Sequence, residues 1–196
     1  TTFGALPLEK SMPFTSDFDT VGWFAETPEL MMSTAQSFDM VKGAPVKTVL
    51  LPVDVWSRAE AKTVDALAPL MARISAEVDE IRPIILAPEG LLIWRETFRI
   101  IQAAQIWQNH SVWISTNTPN FGPGIAERFE LASRVTNSEL QRAKKQRTLI
   151  VRRLSNILPQ TAALVFPTSP GPAPFTDSNA AVLDDFRMRS FDMLCT

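Results

Sequence analysis

Between residues 46 and 86 the hydropathy pattern changes period twice, and that succession restricts the fold more than any other feature of the chain. Val46 to Pro52 (VKTVLLP) is a short apolar run rich in β-branched residues, the pattern of a buried strand. From Ser57 to Val78 the apolar positions Val64, Leu67, Met71, Ile74 and Val78 recur at intervals of three and four, one face of a helix with Ser57 as its N-cap. Ile81, Ile84 and Ile85 then mark a second strand ending near Leu86. Strand, amphipathic helix, strand predicts a β-α-β unit and an α/β fold. Pro69 would kink or shorten the helix, and Pro83 keeps the second strand away from the centre of a sheet.

The rest of the chain extends this pattern. From Glu89 to about Asn109 apolar residues lie nearly all round a helical projection, which predicts a helix buried in a large core. A separate apolar stretch, Val112 to Ile114, follows. Phe121-Gly-Pro-Gly124 reads as a turn, with Pro123 starting a helix through Ala126, Phe129 and Leu131. Thr136-Asn-Ser-Glu139 is a capping box. The long helix it opens carries Leu140, Ala143, Ile150, Leu154 and Ile157 on one face. Arg147 interrupts that face and needs an ion pair or a carbonyl clamp. Ala162 to Phe166 reads as a strand, Pro167 to Pro174 as a stiff loop, and Ala180 to Leu194 as a last helix with Val182, Leu183, Phe186, Phe191 and Leu194 as its apolar positions.

Composition removes several function classes. With 19 basic and 21 acidic residues in 196, the formal charge of −2 gives no net-charge argument for nucleic acid or anionic lipid. The basic residues Arg142 to Arg153 spread around their helix with no aromatic residue interleaved for base stacking, so they read as a solvated face. The single cysteine, Cys195, and single histidine, His110, cannot form a disulfide framework or a Cys/His metal site, so no metal or cofactor is expected. His110 is expected near a helix C-terminus, where the dipole favours it. No signal peptide and no membrane-spanning run is legible, and a reduced, cytoplasmic compartment is expected, without membrane partners. The abrupt start and end suggest an internal section of a longer protein, one that folds poorly alone because its buried helix lacks cover.

Several segments, in order, resemble the amidase-signature hydrolases. Thr2, Phe3 and Gly4, followed by Phe18-Asp-Thr-Val-Gly-Trp-Phe-Ala25, fit the proline-threonine-glycine stretch and the (S)-(L/F)-D-x-x-G element of that family. Trp107 to Trp113 resembles the family's buried helix. Phe121 to Phe129 resembles an element ending in arginine in amidotransferase A subunits, and Ala143 to Ile150 the helix that follows. Leu164-Val-Phe-Pro-Thr-Ser-Pro170 resembles the L-(T/P)-P-T-(T/A/S)-P strand and loop, and Phe191 to Thr196 the segment before a Gly-Leu-Pro turn. The matches span nearly the whole chain; those at 18–25 and 164–170 are fairly specific as a pair.

The resemblance implies one amidase-signature domain, of which residues 1–196 are a part, with a mixed β-sheet covered by helices. It implies amide hydrolysis through an acyl-enzyme by a Ser–cis-Ser–Lys triad, with backbone amides of a Gly/Ser-rich loop stabilising the oxyanion. Such a loop needs residues small enough for peptide N–H groups to converge, yet the chain has no Gly-Gly, Gly-Ser, Ser-Gly or Ser-Ser pair. The triad is therefore expected upstream, and no catalytic residue is assigned here. The implied partners are a small amide or urea-like substrate, the upstream portion of the same fold, and a second copy, since dimers are frequent in the family. Some relatives in plant organelle import have lost the triad and bind partners, so a docking module is the alternative.

Five residues are candidates for the substrate pocket. Asp19 sits in the best-matched element and is expected as a turn or cap aspartate with a structural role near the active site. Phe14 and Trp23 flank it as pocket aromatics. Gln105, with Gln102 and Asn109 on the same helix, either lines a cleft and hydrogen-bonds an amide or urea substrate or belongs to a polar stripe meeting water or another helix. Arg128 matches, through the resemblance, the arginine that binds a substrate carboxylate, and is otherwise a solvated helix arginine.

Overall fold

The computed structural model describes residues 4–40, 43–122 and 124–194, which fall into two compact units. Thr2, Phe3, Pro123 and Cys195, all used in the sequence reading, lie outside the described residues.

One unit comprises Ala44–Phe98 and Lys145–Thr196. Its centre is β1 (Thr48–Pro52), built from the β-branched run and flanked by two parallel strands, β2 (Glu80–Ile84) and β3 (Ala162–Leu164). Thr48 stands opposite Glu80 on one side and Ala162 on the other. The expected β-α-β unit is present, and β2 is an edge strand of this sheet, where the missing N–H of Pro83 disrupts least. All three described strands are parallel to β1's direction, within the α/β class expected.

The helix between β1 and β2 differs from expectation at its start. Pro52 ends β1, and α2 (Val53–Trp56) makes one short turn that Ser57 closes at its C-terminus, its hydroxyl donating to the Asp54 carbonyl at 2.7 Å. The long helix, α3 (Ala61–Glu77), begins only after Glu60. Ser57 is therefore not its N-cap. Pro69 does not shorten it; the helix runs through to Glu77, with the proline on its exposed side.

Val55, Leu86, Leu91, Trp94, Ile150 and Met193 form the buried core of this unit, with Ile84, Leu154 and Phe166 packed against it. The chain after β2 is clamped from both sides. Asp54 accepts the amides of Leu86 at 3.0 Å and Ala87 at 2.8 Å, and Arg153 donates to the carbonyls of Leu86 and Ile85, each at 2.7 Å. Arg153 thus makes a carbonyl clamp on this segment.

In α7 (Ala180–Leu194) the buried residues are Asp192 and Met193, while Val182, Leu183, Phe191 and Leu194 of the expected stripe are exposed. A charged anchor overrides the hydropathy pattern there. The Asp192 carboxylate meets Arg95 Nη1 at 2.8 Å and Arg58 Nε at 3.4 Å, and an ion pair tolerates burial only with such partners.

The other unit comprises Thr1–Gly43 and Arg99–Lys144. It contains α1 (Pro28–Ser37), capped by Thr27, which accepts from the Leu30 amide at 3.2 Å. It also holds α5 (Ile125–Ser133), the second part of α4 (Leu91–Asn117) and the start of α6 (Asn137–Ile157). Ile101, Ala132 and Ala143 are buried in it. The capping box forms as read: Thr136 N–H donates to Glu139 Oε2 at 2.8 Å and Glu139 N–H to the Thr136 hydroxyl at 3.2 Å.

Two expectations about α4 are corrected. It is one helix of 27 residues, about 40 Å long, so Val112 to Ile114 continue it and His110 lies well inside it rather than at its C-terminus. Nor is it buried all round. Leu91, Trp94, Thr97 and Ile101 make one buried face, whereas Leu92, Ile93, Val112 and Trp113 are exposed among the described residues. A period of three and four selects the face that packs; apolar character alone does not.

Candidate functional site

The segment from Leu8 to Thr20 folds on itself before any regular element begins. Ser11 turns back on Leu8, its amide and its hydroxyl both donating to the Leu8 carbonyl, at 2.9 and 2.8 Å. One further turn brings the amides of Phe18 and Asp19 to the Thr15 carbonyl, at 2.7 and 2.8 Å. This helical turn exposes the amides at its start, and the Asp19 carboxylate reaches back to take them. Its Oδ2 accepts from Phe14 N–H and Thr15 N–H, each at 2.9 Å, and its Oδ1 accepts from the Thr15 hydroxyl at 3.1 Å. Thr15 is buried. Burial pushes the Asp19 carboxyl up, but these donors outweigh it and hold the group below the ordinary carboxylate range. With its lone pairs occupied, Asp19 is an ionised structural acceptor rather than a proton carrier.

Helix α4 fixes this turn through two amide side chains. Gln105 Oε1 accepts from Asp17 N–H at 3.1 Å, and Asn109 Nδ2 donates to the Phe14 carbonyl at 3.2 Å. One helical turn apart, the two side chains share a face and serve the backbone of the loop, rather than meeting water or another helix as the alternative to a cleft had it. The Phe14 ring lies against His110, centroids 5.8 Å apart, and remains half exposed. Beside the turn is a cavity of about 320 Å³, lined by Leu8, Met12 and Pro13 and by the polar groups of Ser11, Ser16, Asp19 and Thr20.

Three of the five candidate residues therefore gather here: Phe14, Asp19 and Gln105. Trp23 packs instead on Phe38, centroids 5.5 Å apart, with its indole N–H buried and unpartnered among the described residues. Arg128 stands exposed on α5, whose Phe129 ring stacks on Phe121 at 4.7 Å. Sequence reasoning overlooked Thr15. Its signal was a hydroxyl four residues before Asp19, the spacing at which the two side chains meet across one helical turn. Among the described residues no cluster of acidic, histidine or cysteine side chains is arranged to hold a metal ion, and no helix is long and apolar enough to cross a membrane.

No profile of a known protein family matches the chain. It is 36% identical over 105 residues to a protein named Amidase 1 from Arabidopsis thaliana, a match covering 54% of this chain and 25% of that one. To Amidase 1 of Oryza sativa subsp. japonica it is 27% identical over 223 aligned positions, covering 97% of this chain and 51% of the relative. To the Translocon at the outer membrane of chloroplasts 64 of Pisum sativum it is 20% identical over 219 positions, covering 97% and 37%. A solved structure described as an amidase superimposes with a TM-score of 0.61 at 19% identity, covering 79% of this chain and 37% of that one, which shows a common fold. The chain spans between a quarter and about half the length of the two Amidase 1 relatives.

Proposed function

From a chain related to the amidase-signature family, we propose a section of an enzyme that hydrolyses a C–N bond of a small amide or urea-like compound through an acyl-enzyme. The nucleophile, its lysine base and the oxyanion loop belong, in this reading, to polypeptide outside these 196 residues, which contain no adjacent Gly/Ser pair able to form such a loop. The observation that carries the reading is the turn at 14–19. A family-like element, Phe18 to Ala25, has as its second residue an aspartate whose carboxylate is committed to holding loop amides, and α4 secures that loop with Gln105.

In this role Asp19 and Gln105 are positioning residues. They fix the turn beside the neighbouring cavity, whose lining includes Asp19; Phe14, Trp23 and Arg128 belong to the same proposed pocket only once substrate and the remaining polypeptide are in place. The test is covalent. The whole polypeptide should be labelled by a fluorophosphonate probe and should release ammonia from a small carboxamide. A folded sample that is neither labelled nor active refutes the enzyme. That outcome would favour a docking module instead, a reading supported by the similarity to the translocon component of pea and to the Outer envelope protein 64 of Arabidopsis thaliana, 22% identical over 223 positions.

A further inference from the structure

We propose that the cavity at the carboxyl ends of β1 and β3 is a binding pocket for a small, uncharged, largely apolar molecule carrying one hydrogen-bonding atom. The topology locates it. From β1 the chain passes through α3 to β2 on one side, whereas β3 pairs on the other side of β1. The strand order therefore reverses between β1 and β3. In open parallel sheets, ligands bind in the crevice beyond the strand ends at such a switch point. A cavity of about 340 Å³ lies there. Trp56, four residues past β1, forms one wall, and the segment 165–169 just past β3 forms another; Leu67 and Met71 of α3 close a third.

The lining states the chemistry of the guest. No charged side chain faces the cavity, so an ionic ligand would be desolvated without compensation. Trp56 cannot donate to a guest, because its indole N–H is held by the Val165 carbonyl at 2.8 Å; the ring is thereby fixed as an apolar surface. Ser169 has likewise turned its hydroxyl to the Gly171 carbonyl at 2.8 Å. Thr63, in the first turn of α3, differs: its Oγ1 is buried and has no partner among the described residues. A buried hydroxyl without a partner is unfavourable, and native structures supply one from protein, water or ligand. A molecule in this cavity would supply it from an alcohol, ether or carbonyl oxygen, or an amide N–H, while its apolar body packs between Trp56 and Leu67.

The proposal is independent of the hydrolase reading, and its test does not use turnover. Benzyl alcohol, toluene and benzoate are titrated into the whole polypeptide, with binding read by saturation-transfer NMR and calorimetry. Benzyl alcohol should bind, toluene more weakly, and benzoate not at all. Thr63→Val should weaken benzyl alcohol about fivefold, the equivalent of one ordinary hydrogen bond, and leave toluene unchanged. Leu67→Trp should abolish both; if that variant does not fold, Met71→Phe fills the same space less severely and should weaken both. Benzoate binding as well as benzyl alcohol, unaltered binding in the filled variants, or no benzyl alcohol binding up to about 10 mM would each overturn it.

Discussion

Removing the Asp192 carboxylate should be the most destabilising single truncation of a charged side chain in the sheet-containing unit. The residue is 5% exposed, and its carboxylate pairs with Arg95 Nη1 at 2.8 Å and Arg58 Nε at 3.4 Å. The two pairs are unequal. The Arg58 side chain is 40% exposed, so water screens it and its pair contributes about 1 kcal/mol or less. The Arg95 side chain is 18% exposed; in Asp192→Ala it would remain largely desolvated, with the Met188 carbonyl at 3.4 Å and the more exposed Glu96 carboxylate at 3.9 Å as weaker partners. Breaking a buried pair from one side costs about 3–5 kcal/mol. Partial exposure of the arginine places the expectation at the lower end, about 3 kcal/mol. For a domain of this size that lowers the melting temperature by roughly 6–12 °C. Urea unfolding of the whole polypeptide, wild type against Asp192→Ala, gives the comparison, read as a shift in midpoint at constant slope. The decisive variant is the double substitution Arg95→Met with Asp192→Leu, which removes both charges and should recover most of the loss. A cost below about 1 kcal/mol for Asp192→Ala, or no recovery in the double variant, would refute the view that an ion pair rather than apolar burial seats α7.

Three other outcomes follow from the contacts. Asp54→Ala leaves the amides of Leu86 and Ala87 without their acceptor beside a fully buried leucine, and should cost about 2 kcal/mol in the same unfolding assay. The Asp19 carboxyl is depressed in the folded chain, so its stabilisation is complete above its unfolded value of about 4 and is lost as pH falls through the folded value. The protection of the Phe14 and Thr15 amides, taken as the exchange rate relative to the intrinsic rate at each pH, should accordingly fall in acid in the wild type, and Asp19→Asn should show low protection already at neutral pH, with no further loss in acid. Thr136→Ala removes the hydroxyl acceptor of the capping box and should destabilise α6 by about 1 kcal/mol; an unchanged melting midpoint would show that tertiary packing alone sets this helix end.

What was legible in the chain, and what was not, divides along the range of the interaction. The β-α-β unit was readable because a short β-branched apolar run and a helical spacing of three and four are properties of the local chain, and Pro83 carried its own instruction to lie at an edge. The Thr136–Glu139 box was readable for the same reason, since both partners lie within one helical turn. The role of Asp19 as a backbone acceptor was readable as a class, but its acceptance of amides four and five residues earlier required the turn to exist first. Where burial depended on distant partners, hydropathy misled. α7 has more apolar side chains on its expected stripe than on the face that packs, yet Asp192 is buried because Arg95 lies 97 residues away in sequence with a guanidinium that needs it. The same holds for Arg153, one of six basic residues read as a solvated face: two carbonyls just past β2 fix it, 67 and 68 residues away. A polar side chain inside an apolar pattern, or a basic one inside a basic run, is thus a statement about an unseen partner. In this fold the partners are an arginine for Asp192 and strand-end carbonyls for Arg153. Each is a group that burial would leave unsatisfied, and each selects the face of its helix that hydropathy could not.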